Sequence, residues 1–532
     1  MKAFVILLAM VVTMGGARAA HYDVVEKDIA TLQADMSAGR VTSEELVRAY
    51  LARIDRLDRD GPRLQSVIAT NPNAVADARA LDVERKAKGP RGPLHGIPIL
   101  IKDNIETADP IPTTAGSLAL KDNITYRDSP AVARLRAAGV IILGKANLSE
   151  WANIRSSHSI SGWSAIGGLT KNPYVLDRSA CGSSSGSASA VAASLAAAAL
   201  GSETDGSLVC PGSISGIVAL KPTVGLVPRT HIIPISHSQD TAGPMARSVA
   251  DAALLISVMA GTDADDPATA ESDARKSDYS NQLASASLKG KRLGVIVPDQ
   301  DTVPTETDAV FARAVAALKA QGAVIVEIRN LAPPPPDIGT TELTVLEFEL
   351  KHDLNAYLAS LSPDQKIKTL ADAIAFNDAT PRETALFGQD IFTKAQSLGD
   401  LTDAGYIKAR DELKKYSRDT LDKLFTKNRL DALIRSTDDA SFRIDIVKGD
   451  NDTSNSSFLP ATAGYPHLTV PMGFVRGLPV GLSFIGPAWS EAALLALGHA
   501  FEQAMPAREP PRFLPSLEAT PDIVKAFEPE PR

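Results

Sequence analysis

The stretch Arg178-Ser179-Ala180-Cys181-Gly182-Ser183-Ser184-Ser185-Gly186-Ser187-Ala188-Ser189, the alanine-rich run that follows it, and Gly201-Ser202-Glu203-Thr204-Asp205-Gly206-Ser207 form the most unusual part of this chain. Small residues at this density let one backbone approach another closely. The run from Ala188 to Leu200 lacks a charged face and is too short to span a bilayer, so it reads as a helix buried at the centre of a large fold. A Ser/Gly loop at each end of a buried helix can meet its counterpart in space. Ser183 and Ser207 bracket that helix.

Outward from this centre, helical and strand patterns alternate. Ser129-Pro130 opens a helix through Ala138, Gly139 closes it, and Val140 to Leu143 reads as a buried strand. The same unit recurs with a strand from Leu293 to Val297, a helix over 308–321 and the β-branched strand Val324-Ile325-Val326. Near the start, Asp28 to Asp58 is helical, with Thr42 and Glu45 spaced as a capping box. Gly261 to about Gly290 and Leu331 to Pro336 read as connections. From Thr341 to about Lys427 the pattern turns mostly helical, which predicts an insertion packed on the sheet. The chain is therefore expected to be α/β almost throughout.

Composition limits the function. With 532 residues, 44% hydrophobic and 22% charged, the chain has the makeup of a globular protein. Its formal charge of −8, with no run of five basic residues, argues against nucleic acid as a partner. Met1-Lys2, the apolar stretch Ala3 to Val12, and Ala17-Arg18-Ala19 fit a secretory signal peptide over 1–19, leaving a mature chain of 20–532. That predicts an exported protein, periplasmic or secreted, with no membrane anchor after cleavage. Two cysteines, Cys181 and Cys210, are too few for a disulfide framework and are read as small buried packing residues.

Upstream, Gly92-Pro93-Leu94-His95-Gly96-Ile97-Pro98-Ile99-Leu100-Ile101-Lys102-Asp103-Asn104 puts a lysine at the end of an apolar strand. Burial lowers a lysine's pKa and can leave it neutral, able to act as a base. The alternative is a structural ion pair with Asp103 or Asp205.

These segments, with Thr113 to Ser117, Gly216 to Thr223, Asp240-Thr241-Ala242-Gly243-Pro244-Met245 and Ala463-Gly464-Tyr465-Pro466, resemble the amidase signature family in the right order. The resemblance covers about residues 25 to 510. It implies a single large mixed β-sheet covered by helices on both faces and a serine amidohydrolase without a cofactor. Carried over residue by residue, it implies Ser207 as nucleophile, Ser183 as bridging serine after a non-proline cis peptide, and Lys102 as base. Backbone N–H groups from Thr204, Asp205, Gly206 and Ser207 would stabilise the oxyanion. The chain departs from the commonest family pattern at Asp205-Gly206 and Cys181-Gly182. There the Asp205 carboxylate is expected to hold a cationic group or to orient Lys102. Together with Ser149-Glu150-Trp151-Ala152-Asn153, these departures resemble the bacterial peptide amidase branch, which implies C-terminal peptide amides as substrates and ammonia as product.

Other readings compete. Gly182-Ser183-Ser184-Ser185-Gly186 also fits G-x-S-x-G, which would make Ser184 a nucleophile with a distant His, His467 being the nearest candidate. Aryl or fatty amides and esters are alternative substrates on the same triad. An amidotransferase subunit working in a complex is a more remote alternative, opposed by the leader and by the lack of a basic patch. No H-E-x-x-H, C-x-x-C or EF-hand pattern points to a metal. A peptide or small-molecule amide is thus the expected partner, bound by a monomer or simple homo-oligomer.

Overall fold

A computed structural model describes residues 22–297, 304–329, 333–451 and 456–529, so the leader expected over 1–19 lies outside the described residues. Runs of β-branched and aliphatic residues make β1 (Val67–Thr70), β2 (Pro98–Lys102) and β3 (Ile141–Ala146), then a short hairpin of β4 (Trp163–Ser164) and β5 (Gly168–Leu169). They are followed by β6 (Ala198–Glu203), β7 (Val218–Lys221), β8 (Thr241–Ala246), β9 (Arg292–Ile296) and β10 (Val324–Ile328). Last come β11 (Ala432–Ser436), β12 (His467–Val475) and β13 (Leu478–Ile485). All but the β4–β5 hairpin join one sheet of eleven strands in the order β1-β3-β2-β6-β8-β7-β12-β13-β11-β9-β10. The sheet is mixed: β3-β2-β6 and β11-β9-β10 run parallel and the other pairs antiparallel. Every residue of β2, β3, β6, β7 and β8 is buried, so these central strands have no face open to water. Strands covered on both sides read as continuous apolar runs, which is how β2 and β3 appear in the sequence.

Register places the chemistry. Ile99 pairs with Ala198 and Ile101 with Leu200 in parallel, so Lys102 at the end of β2 and Ser202 near the end of β6 emerge at the same edge of the sheet. Ligand sites of α/β sheets gather at such carboxyl ends.

One expectation fails here. The run from Ala188 to Leu200 is not a single helix: the helix spans Ser185–Ala192, Ser194 turns with φ +53°, and Ala198 to Leu200 belong to β6. Alanine favours helix by propensity, but long-range partners decide this case. Arg247 donates to the Val191 carbonyl at 3.1 Å, Arg508 to Ala192 at 3.0 Å, and Arg53 to Ala193 and Ser194 at 2.7 and 2.8 Å. Three guanidinium groups thus satisfy the carbonyls a helix end leaves open. The alanines beyond are small enough to sit in the middle of the sheet between β2 and β8.

The helix Ser185–Ala192 lies against the backbone of neighbouring segments, and Gly186 sets the distance. A Cβ there would lie 2.4 Å from the carbonyl oxygens of Asn147 and Ser66. Between β10 and β11 the chain forms four helices, Ile338–Ala359, Leu370–Ala379, Asp390–Ser397 and Ala404–Asn428. Leu346, Leu350, Leu354 and Leu358 of the first pack in one apolar cluster with Trp151 and Ile233, so this segment flanks the edge where Lys102 emerges.

Gly186→Ala forces backbone to move, and overpacking of this kind typically costs about 1 to 3 kcal/mol. The urea midpoint of the variant is therefore expected to fall clearly, with an unchanged m-value. An unaltered midpoint would show that this contact does not set the helix position.

Candidate active site

Lys102 is fully buried, and its ammonium has three hydrogen-bond acceptors: Ser183 Oγ at 2.7 Å, Ser202 Oγ at 2.9 Å and the Ser202 carbonyl at 3.1 Å. None is a carboxylate. The structural ion pair considered for this lysine is absent, because Asp103 turns instead to the N–H and hydroxyl of Thr114. Desolvation brings the Lys102 pKa down to about 7, against the opposing pull of the Asp240 and Glu203 charges. A drop from the ordinary 10.5 corresponds to about 5 kcal/mol of preference for the neutral amine. Lys102 is therefore poised between its two forms at neutral pH.

Ser202 escapes the sequence reading even though it lies inside the quoted stretch. Its hydroxyl accepts from both Lys102 and Asn104 Nδ2, the latter at 2.9 Å, and so fixes the amine at the strand end. Nothing in its spacing marked it.

Ser183 follows a cis peptide bond between Gly182 and Ser183. Its loop and that of Ser207 are joined by a bond from Ser184 N–H to the Ser207 carbonyl at 3.1 Å. Exposure increases along the set: Lys102 is 0% exposed, Ser183 1% and Ser207 8%, so Ser207 is the member that solvent reaches. Among the described residues the Ser207 hydroxyl has no hydrogen-bond partner, so the Lys102–Ser183 contact is made and a Ser183–Ser207 contact is not. The N–H groups of Asp205, Gly206 and Ser207 likewise donate to no described residue, whereas those of Leu208 and Val209 donate to Glu203 Oε2 at 2.7 and 3.1 Å. Glu203 thereby pins the start of the helix Val209–Ile214 and leaves the turn before it with unspent donors. Thr204 is held by its hydroxyl to Asp240 Oδ1 at 2.6 Å.

Asp205 does not orient Lys102. Its carboxyl contacts Ser457 and Glu342, the latter from helix Ile338–Ala359, and burial raises it above the usual carboxylate range. Glu342 is pushed well up by burial and by the Asp205 charge, so the pair favours retaining a proton. Ser184 fails as a nucleophile: it is fully buried, donates to the Ser202 carbonyl at 3.0 Å, and His467 sits instead on Ser483 Oγ at 2.6 Å.

The cysteines are corrected as well. Cys181 and Cys210 form a disulfide with Cα atoms 6.1 Å apart, rather than packing as free thiols. Each is three residues or fewer from one of the two serines, so the bond closes the loop that contains both. Closing a loop of 29 residues stabilises a fold by about 3 to 4 kcal/mol in the chain-entropy account. Their positions flanking the site allow the two to be neighbours, but nothing in the sequence favoured a bond over the commoner packing role.

A cavity of about 820 Å³ ends against Asn104, Ser202, Glu203 and Thr204, the residues that hold Lys102 and begin the turn to Ser207. Its outer walls come from the segment 229–241 and from helix Ile338–Ala359. Neither serine hydroxyl loop lines it directly.

A family model described as Amidase matches residues 45–495. A probable amidase of Arabidopsis thaliana is 37% identical over 95% of this chain and 96% of its own. A glutamyl-tRNA(Gln) amidotransferase subunit of Halorhodospira halophila is 35% identical over 90% of this chain and 97% of its own. The structure of native peptide amidase from Stenotrophomonas maltophilia superposes with a TM-score of 0.87 at 48% identity, covering 92% of this chain and 99% of that one. With its eleven-stranded mixed sheet and with serines and a desolvated lysine gathered at one edge, the chain belongs to the amidase signature family and is an amide-hydrolysing enzyme.

Proposed function

We propose that this enzyme hydrolyses C-terminal amides of peptides, releasing ammonia, through Lys102, Ser183 and Ser207. The observation that carries the mechanism is the 2.7 Å contact between Lys102 Nζ and Ser183 Oγ in a fully buried setting. The similarity to a peptide amidase at 48% identity supports the substrate class.

Neutral Lys102 takes the Ser183 proton while Ser183 takes that of Ser207, since a hydroxyl can donate and accept at once. Ser207 Oγ attacks the amide carbon, and the oxyanion that forms is met by the free N–H groups of Asp205, Gly206 and Ser207, with Thr204 completing the turn. Each such donor is worth about 3 to 4 kcal/mol. The proton on Lys102 returns through Ser183 to the departing nitrogen, which leaves as ammonia. Water then attacks the acyl-Ser207 ester by the same proton path and frees the acid.

Export is part of the proposal. The leader-like sequence over 1–19 supports it, and so does the Cys181–Cys210 disulfide, since such bonds persist in oxidising compartments.

A panel of a peptide C-terminal amide, an anilide, a fatty amide, an ester and free glutamine separates the substrates. Ammonia is expected from the peptide amide, with Ser207→Ala losing at least about a thousandfold in kcat and Ser183→Ala and Lys102→Ala about a hundredfold or more. Because the base must be neutral, kcat/KM is expected to fall as pH drops through about 7. Activity surviving in Ser207→Ala would sink the mechanism; turnover of the anilide, the ester or glutamine alone would discard the substrate. Produced in a bacterial host with its own leader, the protein is expected in the periplasm, beginning at Ala20 and free of reactive thiols. Uncleaved chain in the cytosol with two titratable thiols would contradict export.

A further inference from the structure

The residues His237, His352 and Asp353 form a cluster that the amide-hydrolysing chemistry does not use. His237 comes from the segment leading into β8, and His352 and Asp353 from helix Ile338–Ala359. Asp353 bridges the two rings: Oδ2 lies 2.9 Å from His237 Nδ1 and Oδ1 lies 2.8 Å from His352 Nδ1. One donor atom from each residue falls within 4.8 Å of the other two. Both imidazoles are exposed on the wall of the 820 Å³ cavity, so an ion can reach them from solvent.

A second observation concerns orientation. The other nitrogen of His237, Nε2, lies 3.4 Å from Glu349 Oε1. Glu349 is itself fixed: Ser238 Oγ donates at 2.6 Å, Tyr406 Oη at 2.8 Å, and Ser236 Oγ and the Ser238 N–H also donate to it. A carboxylate behind an imidazole accepts the N–H of the nitrogen it faces, which holds the proton there and leaves the opposite nitrogen to a metal. Here the opposite nitrogen is Nδ1, which donates to Asp353 Oδ2 in the absence of a metal and gives up that proton when an ion enters between the two. The neighbouring guanidinium, Arg229, is committed to Asp266 at 2.7 Å and to the His237 carbonyl at 2.6 Å.

We propose that His237, His352 and Asp353 bind a divalent cation of the zinc class, with Glu349 orienting His237. Two imidazole nitrogens and one carboxylate oxygen, with a coordination position open to water, suit Zn²⁺, Co²⁺ or Cu²⁺ and disfavour Mg²⁺ and Ca²⁺, which prefer oxygen. The ion ties the segment that carries Asp240, the partner of Thr204, to helix Ile338–Ala359, and so clamps the outer end of the cavity whose inner end is lined by Asn104 and Ser202, the residues beside Lys102. The ligands come from two distant segments, which is why no short motif announces them.

The test uses the full chain, purified without a histidine tag and freed of metal with a chelator. Co²⁺ titration is expected to give visible d–d absorption saturating at one ion per chain, and Zn²⁺ to displace it. His237→Ala and His352→Ala should each weaken binding at least tenfold, as should the milder His352→Gln should the alanine variant misfold, while His158→Ala, at an exposed histidine elsewhere, should not. Glu349→Gln should weaken binding about tenfold through its effect on His237, and binding should fade as pH drops and protons compete for the imidazoles. Absence of a saturable Co²⁺ spectrum, or binding unchanged in the His237 and His352 variants, would overturn the proposal. The readout is spectroscopic, so it stands or falls independently of the amide substrate.

Discussion

Everything at the candidate site depends on one electrostatic constraint: a lysine amine is held at the end of a central strand, out of water, with only hydroxyl and carbonyl oxygens as neighbours. The carboxylates whose charges act on Lys102, Asp240 and Glu203, do so through space rather than by hydrogen bond, and both have other hydrogen-bond duties. Had either paired directly with the amine, the ammonium form would be favoured and the base that the proposed mechanism needs would be lost. The Ser202 carbonyl can only accept, so it keeps one N–H of the neutral amine turned away and leaves the lone pair for the hydroxyl side, where Ser183 stands.

The surrounding architecture serves that constraint. Parallel pairing of β2 and β6 brings Lys102 and Ser202 to one edge, and the all-buried strands around them keep water from the amine. The loop that returns to Ser183 and the turn that presents Ser207 are joined by a backbone bond and by the Cys181–Cys210 link. Glu203 then takes up the first N–H groups beyond the turn, and the donors within it are left without a partner among the described residues. Rigid parts thus surround a small set of unsatisfied groups, the arrangement that the proposed mechanism requires around a developing oxyanion.

Much of this was legible in the sequence, because the segments concerned are governed by local rules. Apolar runs gave β2 and β3, Ser129-Pro130 and Gly139 bounded the helix before β3, and the Thr42–Glu45 capping box forms as expected. Lys102, Ser183 and Ser207 stood out through residue type and the resemblance that their motifs carry. What the sequence concealed lies in tertiary contacts. The alanine run splits because Arg53, Arg247 and Arg508 reach its carbonyls from elsewhere in the chain. Ser202 looked like one serine among many, Asp205 found Glu342 from a helix more than a hundred residues away, and the two cysteines met only through the folding of both loops.

The most direct test of the account is the protonation of Lys102 itself, followed by NMR in protein labelled with ¹³C at the lysine ε-carbons and assigned with Lys102→Arg. The account predicts one lysine that titrates near pH 7, several units below the surface lysines. A Lys102 signal that remains that of an ammonium until about pH 10, the ordinary lysine value, would contradict the claim that desolvation makes this residue a base.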